Sequence, residues 1–539
     1  MVLKFLRSVR VNHWRRLSQF VFLALFLFLF RQTDYLGQDE LPYAVNIFFR
    51  WDPLVAASAM LAAKTFIALL LPALIVVGLT FVLGRFFCGW VCPLGTLLDA
   101  AHTGITPKHK GPERSRYRTW KFYLLFLILI AALFGVPLVG YFDPFSILVR
   151  GLAIAVDPAL QSGVSAPFDT IYVHAPGWVT DITEPVYEFL RGTIIAYDEA
   201  FFLMALPTLM VLVAVFALEK IERRFWCRNL CPLGALLGLC SRPALLRQHP
   251  GKACDKKCMT CADICRMGAI DEEGAISPEA CNLCLDCVVD CDKKIISFKF
   301  KKPKAKPAPV GISRRGVVGA LAAGLAVPAF LKVRAIEKMP DPKLIRPPGA
   351  LDEDEFLSRC VRCGECMKVC INNALQPTFL EAGSEGIWSP MVVPRIGYCE
   401  YNCTLCGQVC PTGAIEKMAK EDKQKVKIGH AFFDKNLCMP YARGTPCLVC
   451  EEMCPLPEKA IRLRKATVHD QEGNEITLDQ PYIVDNLCIG CGTCENKCPL
   501  PGKAGVRVTR EGESRDPDSF VPPTGGPPPG YGGYGGYGG

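Results

Sequence analysis

Long apolar runs crowd the first 220 residues of the chain, and most of its 29 cysteines fall beyond them in groups of four. Within the apolar part, a fourteen-residue segment occurs twice. Together these features predict an α-helical membrane domain of four spans in two repeats plus a fifth span, joined to small α+β domains wrapped around clustered thiolates.

At 539 residues the chain has room for three or four units. The net charge of +9 does not read as a nucleic-acid footprint, so no nucleic-acid partner is expected. The basic residues bunch beside apolar stretches (Lys4, Arg7, Arg10, Arg15, Arg16; Lys108, Lys110, Arg114, Arg116, Arg118; Arg314, Arg315), where they set membrane topology.

The first span is expected over 17–30, between Arg16 and Arg31. It is short for a crossing of about 20 residues, but Trp14 and the arginines can snorkel. The second, third and fourth are expected over 59–83, 120–140 and 200–218. The loop between spans two and three is basic, whereas the other two loops are acidic or mixed (Asp34, Asp39, Glu40; Asp157, Asp169, Asp181, Glu184, Asp198, Glu199). Both ends of this unit, the N-terminus included, are therefore expected in the cytoplasm.

The repeat is RFFCGWVCPLGTLL over 85–98 and RFWCRNLCPLGALL over 224–237, nine identities in fourteen positions. Each copy follows an even-numbered span, and each half carries an outward Asp-Pro, at Asp52 and Asp143. Two copies of helix, Asp-Pro loop, helix and C-x3-C-P suit a pseudo-twofold core with a site between its halves. Cys88, Cys92, Cys227 and Cys231 would then supply four thiolates, enough for one further iron-sulfur cluster at the membrane edge. The competing reading is buried, unreactive cysteines. Residues 155–199 interrupt the second copy outside the membrane, and Cys240 reads as packing.

The soluble cysteines are more specific. Cys488, Cys491, Cys494 and Cys498 followed by Pro499 have the C-x2-C-x2-C-x3-C-P spacing of a [4Fe-4S] site, in which the fourth cysteine reaches a neighbouring cluster. Three more groups precede it: Cys360, Cys363, Cys366, Cys370; Cys399, Cys403, Cys406, Cys410; and Cys438, Cys447, Cys450, Cys454. The expected pairing is first with fourth and second with third, with sequential pairing as the alternative. Upstream, Cys254, Cys258, Cys261, Cys265 and Cys281, Cys284, Cys287, Cys291 make a two-cluster module, in which Cys265 should serve the second cluster and Cys291 the first. Arg266 and Asp292 stand where this motif usually has proline. Six [4Fe-4S] clusters are expected in all. Structural zinc sites set two short pairs far apart rather than four cysteines in one run, and disulfide-dense scaffolds are far shorter.

A Lys/Pro linker over 293–309 leads to Ser313-Arg314-Arg315-Gly316 and an apolar run to Leu331. This is similar to an internal twin-arginine export element that doubles as the fifth span; a linker helix that stays inside competes with it. The tail from Pro522, rich in Gly, Pro and Tyr, cannot bury a core. The expected units are 1–245 (membrane), 246–300 (cytoplasmic two-cluster module), 301–335 (linker and fifth span), 336–510 (periplasmic four-cluster domain) and 511–539 (tail).

On the CPLG elements and two-cluster module, residues 1–300 resemble the NapH/MauN-type membrane quinol dehydrogenase subunit. On the twin-arginine segment and four cysteine groups, residues 310–510 resemble its NapG/MauM-type exported partner. The resemblance implies a bacterial inner-membrane protein that oxidises quinol from the quinone pool and passes electrons to a periplasmic c-type cytochrome or reductase, with other membrane subunits as further candidate partners. Quinol oxidation releases two protons, and Asp52 and Asp143, expected at the outer ends of the spans, are the candidate acceptors; helix capping by Asp-Pro is the competing reading. Haem is not expected: the seven histidines are scattered, none is expected in a span, and no C-x2-C-H occurs. The competing function is an accessory polyferredoxin that matures or regulates a metalloenzyme.

Overall fold

The structure is a computed structural model that describes residues 11–35, 37, 39–41, 43–105, 117–193, 200–249, 258, 260–270, 276–291, 296–300, 311–331, 341–469 and 472–516. Cys254, Asp292, the linker beyond Phe300 and the Gly/Pro/Tyr tail lie outside them.

A helical unit occupies the centre, with a soluble module at each end. Helix α1 (Val11–Gln32) starts at the end that carries the CPLG segments, where Ser18 donates to the Trp90 carbonyl at 3.1 Å. It finishes at the far end, where Asp34 meets Lys368 at 2.6 Å. The chain then turns back into the unit and starts α2 (Pro53–Ala63), which Asp52 caps. The expected second span is not one helix. Lys64 takes a left-handed conformation (φ 53°), and α3 (Ala73–Leu83) begins only after a further loop. After the short helix α4 (Phe86–Trp90) and α5 (Pro93–Ile105), α6 (Trp120–Leu133) returns to the far end.

The largest departure from expectation follows. Asp143 caps α7, a 31-residue helix (Pro144–His174) that passes through a π-turn at 152–156 and runs on into the supposed insertion. With α8 (Gly177–Thr193) it forms a helical hairpin. Then come α9 (Ala205–Ala217) and α10 (Pro232–Cys240), which carries the second CPLG segment. Among the described residues three helices are long and apolar enough to cross a membrane: 12–32 of α1, α7, and α11 (Arg314–Leu331). His13 lies inside the first of these and His174 ends the second, both outside the spans expected at 17–30, 59–83, 120–140 and 200–218.

Helix α11 packs along α6 through small residues. A side chain at Gly316 would collide with Tyr123 and one at Gly324 with Ile130, while Ala320 between them is buried. Both contacts advance together in sequence, so α11 runs parallel to α6, from the CPLG end to the far end.

The small module at the CPLG end is closed by an antiparallel pair, β1 (Leu246–His249) with β2 (Ser297–Phe300). At the far end, residues 341–516 hold three further two-stranded sheets: β3 (Leu375–Pro377) with β4 (Pro390–Val392), β5 (His430–Phe433) with β8 (Val506–Thr509), and the long hairpin β6 (Ile461–His469) with β7 (Glu475–Ile483). Two apolar cores result. That of the helical unit includes Phe26, Phe49, Leu125 and Phe145 but also Cys92, Cys231 and, from the far module, Val361 and Cys363. The second lies mostly within the far module, with Ile154 and Phe202 of the helical unit packed into it.

Candidate metal centres

The far module gathers its thiols into four boxes. A cavity of about 380 Å³, mouth included, is lined by Cys360, Cys363, Cys366 and Cys410, and one of about 430 Å³ by Cys370, Cys399, Cys403 and Cys406. We call these boxes A and B. Cys454 lies within electrostatic reach of Cys488 and Cys491, which with Cys494 form box C. Cys438, Cys447, Cys450 and Cys498 form box D.

The fourth cysteine of each group therefore crosses to its sequence neighbour: first with second, third with fourth. The expected pairing of first with fourth and second with third is wrong. The reason is tertiary. The chain turns straight back after Cys370, through β3 and β4, and delivers Cys399 beside it, so the nearest thiols belong to the next group.

Local structure serves this arrangement. Gly364 and Gly492 take left-handed conformations (φ 85° and 86°) between the second and third cysteines of their groups, turning the chain into the short helix that presents the third. Burial pushes the unligated thiols up, Cys370 to about 11 and Cys450 to about 12, so ligation in these boxes expels protons. No disulfide joins two of the described cysteines. Among the described residues no three His, Cys, Asp or Glu side chains close on a single-ion site, whereas four thiolates on one zinc would lie about 3.8 Å apart. Four thiols around a cavity of this size fit a cubane.

At the other end, Cys265 lies beside Cys281, Cys284 and Cys287, while Cys261 and Cys291 pack on the same small core. The two CPLG pairs are brought together as well: Cys88, Cys92, Cys227 and Cys231 all lie within electrostatic reach of one another. The arginine that opens each repeat reaches across to the other copy. Arg224 donates to the carbonyls of Gly95 (2.9 Å) and Cys88 (3.3 Å), and the Arg85 guanidinium lies against Gly234. Arg85, Arg224 and Lys121 are all buried around the four thiols, where they offset the charge of an anionic group. Cys227 and Cys281 pack on one apolar patch, so this quartet adjoins the small module.

Asp52 and Asp143 are both fully buried in the core of the helical unit. Each caps a helix: Asp52 accepts from Leu54 (2.7 Å) and Val55 (3.1 Å), and Asp143 from Ser146 (2.8 Å). The two carboxyls meet, and one oxygen of each stays outside the capping bonds. The ring of Phe145 packs 6.0 Å from Phe87, one residue before Cys88.

Sequence reasoning missed Arg266, which stands in place of the motif proline. It donates to Asp99 at 2.7 Å and pairs with Asp286, while Asp99 also holds Arg224 at 2.7 Å and Arg15 at 3.8 Å. This ion network fastens the small module to the helical unit.

The chain is 36% identical over 206 residues to the methylamine utilization ferredoxin-type protein MauM of Methylorubrum extorquens, an alignment that covers 84% of that protein and 37% of this chain. The chain belongs to the MauM/NapG ferredoxin-type family. It matches the NapG ferredoxin-type protein of Escherichia coli at 35% identity over 151 residues, 63% of that protein and 28% of this chain. It matches protein NirI of Paracoccus denitrificans at 27% over 271 residues, 32% of that protein and 49% of this chain. Family models described as 4Fe-4S binding domains match residues 65–105 with 202–252, and 356–376; the NosR model matches 252–299. The first of these takes in both CPLG segments. No solved structure matches. The protein is an iron-sulfur, ferredoxin-type electron-transfer protein of the MauM/NapG kind.

Proposed function

We propose that this MauM/NapG relative is fused to its own NapH/MauN-type membrane subunit and oxidises quinol in the bacterial inner membrane. Electrons then leave to a periplasmic c-type cytochrome or reductase. In this reading the helical unit holds four spans in two repeats, its CPLG end faces the cytoplasm, and α11 is a fifth span that carries the chain to the periplasmic side. One observation supports it above the rest: the two cysteine-rich modules seat at opposite ends of a single helical unit, with α11 running from one end to the other.

When bound, [4Fe-4S] clusters accept and release single electrons, which divides the two-electron oxidation of a quinol into single steps. The 24 cluster-spaced cysteines would hold six of them, and Cys88, Cys92, Cys227 and Cys231 a seventh iron-sulfur group next to the small module. Asp52 and Asp143, facing each other without a cation bonded to either among the described residues, hold a proton between them in this reading, because two ionised carboxylates side by side in a buried site repel strongly.

Anaerobic addition of decylubiquinol to the purified holoprotein tests the proposal. Quinol-dependent bleaching of the iron-sulfur absorbance, with iron and sulfide in the proportion of six or seven clusters, is the expected result. A protein that dithionite bleaches and quinol does not would instead fit the accessory-factor reading. Iron content that falls equally in Cys88→Ser and Cys227→Ser would identify the CPLG quartet as a single centre.

A further inference from the structure

The seam between the helical unit and the far module encloses a cavity of about 510 Å³, mouth included, that is larger than either thiol-lined cavity and has no thiol quartet of its own. Its polar wall comes from three places. Asp34 follows α1, Asp157 and Gln161 lie on α7, and Lys368 belongs to the first cysteine group. Lys368 Nζ bonds Asp34 Oδ1 at 2.6 Å and Asp157 Oδ2 at 2.7 Å, and sits 4.1 Å from the centre of the Phe30 ring. Gln161 Nε2 donates to Asp157 at 3.0 Å. Its Oε1 has no donor among the described residues, although Gln161 is only 2% exposed. A buried amide oxygen left unpaired is costly, so a group that donates to it is favoured there.

The rest of the wall is apolar and aromatic, with Phe202 and Tyr35 among it, and the Cys370 thiol of box B completes it. The cavity lies beside α7 and the end of α1, two of the three helices that, among the described residues, are apolar enough to cross a membrane.

We infer that this seam cavity is where the hydroxylated ring of a quinol binds, with one hydroxyl donating to Gln161 Oε1. The inference rests on the proposed quinol oxidation and gives it a location away from Asp52 and Asp143. The balance is simple. Two O–H bonds break, and the ring loses two electrons, one to each of two oxidised [4Fe-4S] clusters, beginning with the one Cys370 holds. The two protons pass to the Asp157 and Asp34 carboxylates and from there to water. Asp157 and Asp34 already share one cation, so each has a partner that re-forms once its proton leaves.

The test uses full-length holoprotein with decylubiquinol as the reductant and decylubiquinone as the binding probe. Gln161→Leu should raise the apparent KM for decylubiquinol about tenfold or more, the loss expected for one buried hydrogen bond to a ligand, and Asp157→Asn should lower kcat by about tenfold or more, because it removes a proton acceptor. Dithionite should still reduce the same number of spins by EPR in both. Ala200→Phe, which fills the cavity without touching the ion pairs, should abolish decylubiquinone binding in equilibrium dialysis. Wild-type oxidation of quinol with all three variants unchanged, or lost only in Asp52→Asn and Asp143→Asn, overturns the site and leaves the function standing. Wild-type protein that neither oxidises the quinol nor binds the quinone overturns both.

Discussion

Arg266 shows how much one departure from a motif can mean. In the usual spacing a proline after the fourth cysteine turns the chain away; here a guanidinium takes its place and bonds two carboxylates, one of them on the helical unit. Removing one partner of such a buried network costs about 3–5 kcal/mol, because the others are left charged and unpaired. Arg266→Ala should therefore release the small module from the helical unit, seen as rapid proteolysis within 246–300, while the far module keeps its resistance. Unchanged proteolysis would mean that the other bonds to the module suffice, among them Arg85 to the Glu279 carbonyl at 2.7 Å and Trp90 Nε1 to the Leu283 carbonyl at 3.0 Å. The thiols offer a second residue-level prediction. Cys410→Ser should perturb the EPR signal of the same cluster as Cys363→Ser, and Cys370→Ser that of Cys403→Ser. If Cys370→Ser instead alters the centre held by Cys488, the boxes assigned here are incorrect.

Among the elements, the cysteine groups were legible in the sequence because the four cysteines of each lie within seventeen residues of one another, so local spacing fixes the shape of each loop. Which groups exchange a ligand was not legible, since that depends on how β3 and β4 fold the chain back. The Asp-Pro steps announced helix starts at 53 and 144 for a local reason: proline suits the first helical position and aspartate the cap. Their depth was hidden, because nothing nearby in sequence records that each helix begins inside the unit. The same holds for two glycines. A side chain at Gly140 would fall 2.4 Å from the Val361 carbonyl of the far module, and one at Gly89 would fall 2.1 Å from the Asn282 carbonyl of the small module. Neither backbone can yield cheaply, so Gly140→Ala and Gly89→Ala should each loosen one module and spare the other. Hydrogen exchange would show this as faster exchange at 360–366 in the first variant and at 279–285 in the second. Loss of protection at both ends in either variant would mean that the whole chain unfolds as one unit instead.

At the scale of the molecule, the four boxes of the far module lie in a line whose order follows from three contacts. Box A touches the helical unit: Cys363 belongs to that unit's core, and Arg362 donates to the Pro137 carbonyl at 2.8 Å. Box B meets box C where the Cys399 amide donates to the Cys491 carbonyl at 2.8 Å. Box D lies beyond C, under the β6–β7 hairpin, where the Tyr441 hydroxyl donates to the Pro481 carbonyl at 2.7 Å and Leu448 and Met453 are exposed beside its thiols. The order is A, B, C, D, with A and B against the helical unit and D at the other end of the series. Reduced clusters broaden the EPR lines of their immediate neighbours, so the order can be read without any substrate. In dithionite-reduced protein, Cys447→Ser, which removes D, should sharpen the signal of C and leave A and B as they were. Cys363→Ser, which removes A, should sharpen B alone. Narrowing of D on the loss of A would place the first and third groups side by side and break the order. If the line holds, D is the centre from which an acceptor takes electrons, and Cys447→Ser should stop transfer to that acceptor while A, B and C still fill.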